Sequence, residues 1–143
     1  MPHLVILYTG QLDAEVNMTT LCRQMADAML TVKDEARKQV FPTGGTRVLA
    51  YPAPHYAVAD GGAAGRDAGG SGDYAFVYLN LRMGRGRTEA TQQSAGQTLL
   101  EVAKAFFAPV MAQRHIGITL QIDVGPEVFD AKHSNLHPLF NKV

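Results

Sequence analysis

Two stretches of this chain repeat one succession of patterns: an apolar extended run, an amphipathic helical stretch, then a second extended run. In the first, His3-Leu4-Val5-Ile6-Leu7-Tyr8 is a near-continuous run of β-formers closed by Thr9-Gly10, the signature of a buried strand. From Asn17 onward Leu21, Cys22, Met25, Ala28, Met29 and Val32 recur at steps of three and four, which marks one face of a helix with Asn17 or Thr19 as its N-cap. Phe41-Pro42-Thr43-Gly44-Gly45 is a turn, and residues 46–51 form the next strand. In the second stretch, Ala75, Val77, Leu79 and Leu81 alternate with Tyr74, Phe76, Tyr78, Asn80 and Arg82 in the clearest strand of the chain, over residues 73–82. Gly84-Arg85-Gly86-Arg87 turns the backbone and Thr88 caps a long helix marked by Ala95, Leu99, Val102, Phe106 and Val110, with Pro109 interrupting it near its end. Ile116, Ile118, Leu120 and Ile122 alternate through the last strand.

A strand-helix-strand unit on this scale closes as a right-handed crossover between parallel strands. Two of them give an α+β fold of duplicated β-α-β halves: a four-stranded mixed sheet with two helices on one face, expected as a single domain over residues 1–143. The other face of the sheet, carrying Tyr74, Phe76 and Tyr78, is too aromatic for water, and a symmetric oligomer would cover it. Between the halves lies a flexible glycine-rich loop at about 52–72, in which six of the thirteen residues from Asp60 to Gly72 are glycine. With too few apolar residues to anchor itself, this loop is open to disorder or to service as a lid.

Composition removes several classes of function. Thirteen Lys and Arg balance thirteen Asp and Glu, which argues against a broad nucleic-acid or anionic-membrane footprint. No apolar run approaches the roughly 20 residues of a membrane span, and no secretory signal pattern opens the chain. The single cysteine, Cys22, fits a reducing, cytoplasmic setting. The motifs of serine hydrolases, zinc proteases, paired Cys metal sites and P-loops are missing. Asp130, His133 and His137 have helical ligand spacing, but scattered polar residues of a tail are the simpler account, and no metal is expected.

Three positions carry chemical potential. The chain opens Met1-Pro2, and processing that removes an initiator methionine before a small residue would leave Pro2 with a free secondary amine next to a buried strand. An α-amino group ordinarily titrates at about 7.7–8.0, and burial or nearby positive charge lowers that value towards neutrality, where a general base works best. Arg47 follows the Phe41 to Gly45 turn and Arg87 closes the Gly84 to Arg87 turn. Each offers a fixed fork of donors to a carboxylate, although on these residues alone surface arginines in tight turns are the simpler reading.

The start Met1-Pro2-His3, the turn Phe41-Pro42-x-x-Gly45-x-Arg47, the strand Asp73-Tyr74-Ala75-Phe76-Val77, the turn Gly84-x-Gly86-Arg87, the stretch Gln92-Gln93-x-Ala95-Gly96 and the tail Asn135-x-His137-x-Leu139-Phe140 occur in order along nearly the whole chain. Together they resemble the 5-carboxymethyl-2-hydroxymuconate isomerase family, within the tautomerase superfamily that includes 4-oxalocrotonate tautomerase. The resemblance implies a homotrimer, no metal or organic cofactor, and a small-molecule dicarboxylate substrate of the 5-carboxymethyl-2-hydroxymuconate type, met in aromatic-compound catabolism. It casts Pro2 as catalytic base, and Arg47 and Arg87 as the residues that bind substrate carboxylates and polarise the dienol. Phe41 and Arg85 are further substrate-binding candidates on the same two turns, with Arg85 at a variable position of its motif. Tyr74, Phe76 and Tyr78 would supply aromatic walls. The segment from Pro52 to Gly72 is longer and richer in glycine than its counterpart, which bears on the substrate rather than the base. Three readings follow: this isomerase; the same fold and base acting on another enol or unsaturated acid; or a non-catalytic trimer that binds small acids.

Overall fold

The computed structural model describes residues 2–140. Its sheet has four strands, β1 (His3–Thr9), β2 (Arg47–Ala53), β3 (Ala75–Met83) and β4 (Ile116–Val124), in the order β2-β1-β3-β4. The outer pairs β1–β2 and β3–β4 are parallel and the central pair β1–β3 is antiparallel, as two side-by-side β-α-β halves require. The crossovers are α1 (Met18–Thr31) and α3 (Glu89–Met111), with a short helix α2 (Ala63–Asp67) between the halves.

Both long helices begin where a side chain satisfies an orphan N–H. The Asn17 carboxamide oxygen accepts from the Thr20 N–H at 3.1 Å, and the Thr88 hydroxyl accepts from the Thr91 N–H at 3.2 Å. The helices pack against each other and onto one face of the sheet. There Leu21, Met25 and Met29 of α1 and Ala95, Leu99, Ala103 and Phe107 of α3 bury themselves against Leu4, Ile6, Val77, Leu79 and Leu81. The register puts Val5, Leu7, Leu49, Tyr51, Phe76 and Tyr78 on the opposite face, where Leu7, Leu49 and Tyr51 are 45%, 49% and 50% exposed.

Three elements depart from the sequence reading. Strand β2 runs through Pro52 to Ala53 instead of stopping at Tyr51, because it is an edge strand that bonds only to β1 and does not need the missing N–H. Helix α3 is not interrupted at Pro109 but continues to Met111, and its buried stripe runs through Ala103 and Phe107 rather than Val102 and Phe106. The stretch expected as a flexible loop at 52–72 contains α2, held at both ends. The Asp60 carboxylate accepts from the N–H groups of Gly62 and Ala64, both at 2.9 Å, and the Gly65 N–H donates to the Tyr74 hydroxyl at 2.8 Å. Backbone N–H bonds are the main force holding the Asp60 carboxyl down to about 2. Gly62, at φ 109° and with the Gly72 carbonyl where a Cβ would sit, shows why this stretch is written in glycine.

Candidate active site

The start of β1 is the centre of the site. Bonded to β2 on one side and β3 on the other, β1 brings Pro2 to the end of the sheet, where it is buried. Two turns converge there. After α1 the backbone passes through buried Val40 and Phe41 into Pro42 and a 3-10 turn, Thr43–Gly45. This turn is pinned by the Thr46 hydroxyl donating to the Pro42 carbonyl at 3.0 Å and the Gln39 carboxamide donating to the Phe41 carbonyl at 2.7 Å. It delivers Arg47 as the first residue of β2, opposite His3. The second turn leaves β3 after Met83, passes Gly86 at φ 109°, and presents Arg87 just before the N-cap of α3, an end that favours anions. The Arg87 guanidinium donates to the Val40 carbonyl at 2.7 Å, which ties the two turns together and leaves its other N–H groups for a ligand.

The tail closes the site. A 3-10 turn, His137–Phe140, packs on the first turn so closely that a Cβ on Gly44 would lie 3.1 Å from the Phe140 ring and 3.3 Å from the His137 Cα. Between these pieces is a cavity of about 280 Å³ lined by Pro2, Phe41, Pro42, Met83, Gly84, Arg87, Lys132 and His137. Its walls are apolar around the proline, and its charges are cationic. A second recess, of about 500 Å³, is lined by Arg47 and by His133, Ser134, Asn135 and Leu136, the tail residues that follow Lys132. The Arg47 guanidinium donates to the Gly45 carbonyl at 3.1 Å. His3, between Pro2 and the core, has its imidazole held below the usual histidine range, first by burial and then by the charge of Arg47.

Pro2, Phe41 and Arg87 therefore share one cavity, Arg47 borders the recess beside it, and Arg85 is exposed and lines neither. The expected aromatic walls are elsewhere. Tyr74 and Phe76 line a recess of about 560 Å³ at the opposite end of β3, and the Tyr78 hydroxyl donates to Gln121 at 2.8 Å on the open face. Lys132 and Met83 are wall residues that sequence reasoning missed, and His137, noted there only for its spacing in the tail, is a third. The tail that carries Lys132 and His137 has no apolar periodicity to follow; the spacings Asp130/His133/His137 and Asn135-x-His137 marked His137 and left Lys132 unmarked. His133 and His137 border different recesses, and among the described residues no three His, Cys, Asp or Glu side chains form a metal-ligand group. The Met1 expectation lies outside the described residues. A larger groove, about 780 Å³, runs beside β2 and the start of α1, lined by Tyr8, Asp13 and Cys22 among others. Burial, and then the 2.6 Å bond to Asp13, push the Tyr8 phenol up to about 12, and burial pushes the Cys22 thiol up.

Among the described residues no helix is long and apolar enough to cross a membrane. Residues 2–140 match the family model described as 5-carboxymethyl-2-hydroxymuconate isomerase. The chain is 26% identical over 140 residues to a 5-carboxymethyl-2-hydroxymuconate Delta-isomerase of Escherichia coli, covering 98% of this chain and 99% of that one. It is 67% identical to a solved 5-carboxymethyl-2-hydroxymuconate delta-isomerase, with a TM-score of 0.96 over 100% of this chain and 95% of the other. A 5-carboxymethyl-2-hydroxymuconate isomerase from Deinococcus radiodurans R1 is 31% identical, with a TM-score of 0.79 over 99% and 95% of the two chains. A fold of paired β-α-β halves with a buried proline at the cationic end of its sheet, matched along its length by these proteins, places the chain in the 5-carboxymethyl-2-hydroxymuconate isomerase family of enzymes.

Proposed function

We propose that the chain isomerises 5-carboxymethyl-2-hydroxymuconate with Pro2 as the proton carrier. The observation that carries this reading is the cavity in which buried Pro2 faces Arg87 and Lys132. The substrate is a 2,4-dienedioate with a hydroxyl on C2. Moving its hydroxyl proton to C5 turns C2 into a ketone, shifts the double bond to C3=C4, and leaves the product conjugated. The neutral Pro2 amine takes the O–H proton, electron density spreads from the C2 oxygen to C5, and the prolinium returns the proton to C5. Arg87 stabilises the charge that builds on the dienolate, and Arg47 holds a carboxylate from its neighbouring recess. The name of this substrate contains three carboxylates, two at the ends of the diene and one on the carboxymethyl arm, one more than the dicarboxylate expected from sequence. No step requires a metal or an organic cofactor.

The chain acts as a homotrimer in the cytoplasm, assembled through the open face of the sheet, whose half-exposed Leu7, Leu49 and Tyr51 need a cover. The fully exposed Val128 and the 85% exposed Phe129 of the tail support interchain packing as well.

The test begins with the intact mass of the purified protein, expected to lack Met1. That protein should convert 5-carboxymethyl-2-hydroxymuconate at a rate that rises with pH as the amine loses its proton. A chain extended before Pro2, whose nitrogen is then an amide, should be inactive, while Pro2→Ala keeps an amine and a residue of activity. Full activity in protein shown by mass to retain Met1 would refute Pro2 as the base.

A further inference from the structure

Of the walls of the Pro2 cavity, Lys132 is the cation that no motif singled out. We propose that Lys132 binds the carboxymethyl carboxylate of the substrate and so sets the preference for a three-carboxylate over a two-carboxylate dienol. This rests on the isomerase reading and deepens it.

The argument starts from the position of the arm. It is attached to C5, the carbon that receives the proton, so it leaves the substrate at the atom that Pro2 must reach. A cation that holds it must border the same cavity as Pro2. Arg87 and Lys132 do, whereas Arg47 borders the adjacent recess. The diene carboxylates are coplanar with the conjugated chain and suit the flat guanidinium forks of Arg47 and Arg87. The carboxymethyl group sits on a saturated carbon and swivels, which suits a compact ammonium with three donors on a flexible stem.

Lys132 is also positioned for this. Its Nζ is 2.7 Å from the Asp130 carboxylate, and both side chains are nearly half exposed, at 45% and 44%. A pair so open to water is weak and spends one of three N–H donors, so the ammonium stays aimed and available. The hydrogen bond and charge of Lys132 hold the Asp130 carboxyl below its ordinary value. Asp130 thereby remains an anion that anchors the ammonium without competing for its proton.

The test is the ratio of kcat/KM for 5-carboxymethyl-2-hydroxymuconate to that for 2-hydroxymuconate, which lacks the arm. Any loss of folded protein cancels in this ratio. Lys132→Gln should lower it by about ten- to hundredfold, the range expected for one charged hydrogen bond, mainly through KM for the longer substrate. Lys132→Arg should recover most of the preference. A ratio that does not change in Lys132→Gln overturns the assignment of the arm to Lys132 while leaving the isomerase intact. A wild-type protein inactive on both compounds overturns the isomerase reading, and this proposal with it.

Discussion

Replacing Leu49 with glutamate tests whether the open face of the sheet is an assembly surface. Fully burying a leucine contributes about 1.5–3 kcal/mol, and Leu49 is 49% exposed in the lone protomer, so covering the remaining half contributes about 1 kcal/mol. Leu7 and Tyr51, at 45% and 50%, contribute about as much each, giving about 3 kcal/mol per protomer from three side chains before the cost of association. Glutamate removes its share and adds an unpaired carboxylate to a surface that excludes water, at a cost of several kcal/mol, repeated in each subunit by symmetry. In a lone protomer the same carboxylate reaches water, so the fold itself should lose no more than about 1 kcal/mol. Sedimentation velocity at micromolar concentration should find wild-type trimers and Leu49→Glu monomers with an unchanged far-ultraviolet circular dichroism spectrum. Gln24→Glu, on the exposed side of α1, should remain trimeric. A wild-type monomer, or a Leu49→Glu chain that still sediments as a trimer, would refute the reasoning.

Arg87→Ala should lower kcat/KM for 5-carboxymethyl-2-hydroxymuconate by roughly thirty- to hundredfold, about 2–3 kcal/mol of transition-state stabilisation, whereas exposed Arg85→Ala should stay within about threefold in the same steady-state assay. Gly65→Ala places a Cβ 2.5 Å from the Tyr74 ring, whose hydroxyl accepts from the Gly65 N–H. Overpacking and the strained bond should destabilise by about 1–3 kcal/mol, lowering the melting temperature by roughly 3–10 °C in a thermal melt. His3 has a lower pKa in the fold than in the unfolded chain, so below the unfolded value of about 6.5 the unfolded state binds more protons and stability is lost as pH drops. Melting temperatures measured from pH 7 to pH 5 should therefore decline, and His3→Asn should flatten part of that decline.

The sheet and its two crossover helices were readable because each strand is either a continuous apolar run or a strict alternation, and each helix carries its capping residue in place. Asn17, Thr88 and the Ala75 to Leu81 alternation needed no tertiary information. Pro52 was misread because a proline excludes a strand only where its missing N–H is needed, and an edge strand does not need it. Pro109 lies two residues before the end of α3, so the helical bond it removes interrupts nothing that follows. The order within 60–72 depends on the Tyr74 hydroxyl and the Asp60 carboxylate acting across space, which composition does not register. In the candidate site, Arg47 and Arg87 follow turns with marked chemistry, and Pro2 is marked by the Met1-Pro2 start. Lys132 and His137 arrive through a tail whose path is set by contacts with Gly44 and no local pattern.

The antiparallel join between β1 and β3 relates the two halves by an approximate two-fold axis through the middle of the sheet. Under that rotation the start of β1 maps onto the start of β3, and the recess lined by Tyr74, Ala75, Phe76, Ile116 and Gly117 occupies the position equivalent to the site around Pro2 and Arg47. The two ends are alike as architecture and, on the proposed mechanism, unlike as chemistry, because a polypeptide has one amino terminus. The nitrogen of Tyr74 is locked in a peptide bond and cannot act as a base, and no arginine begins β4. On the proposed mechanism the duplicated fold therefore yields one reactive centre per subunit. The glycine-rich segment lies at the twin position, around Asp60 and Gly65.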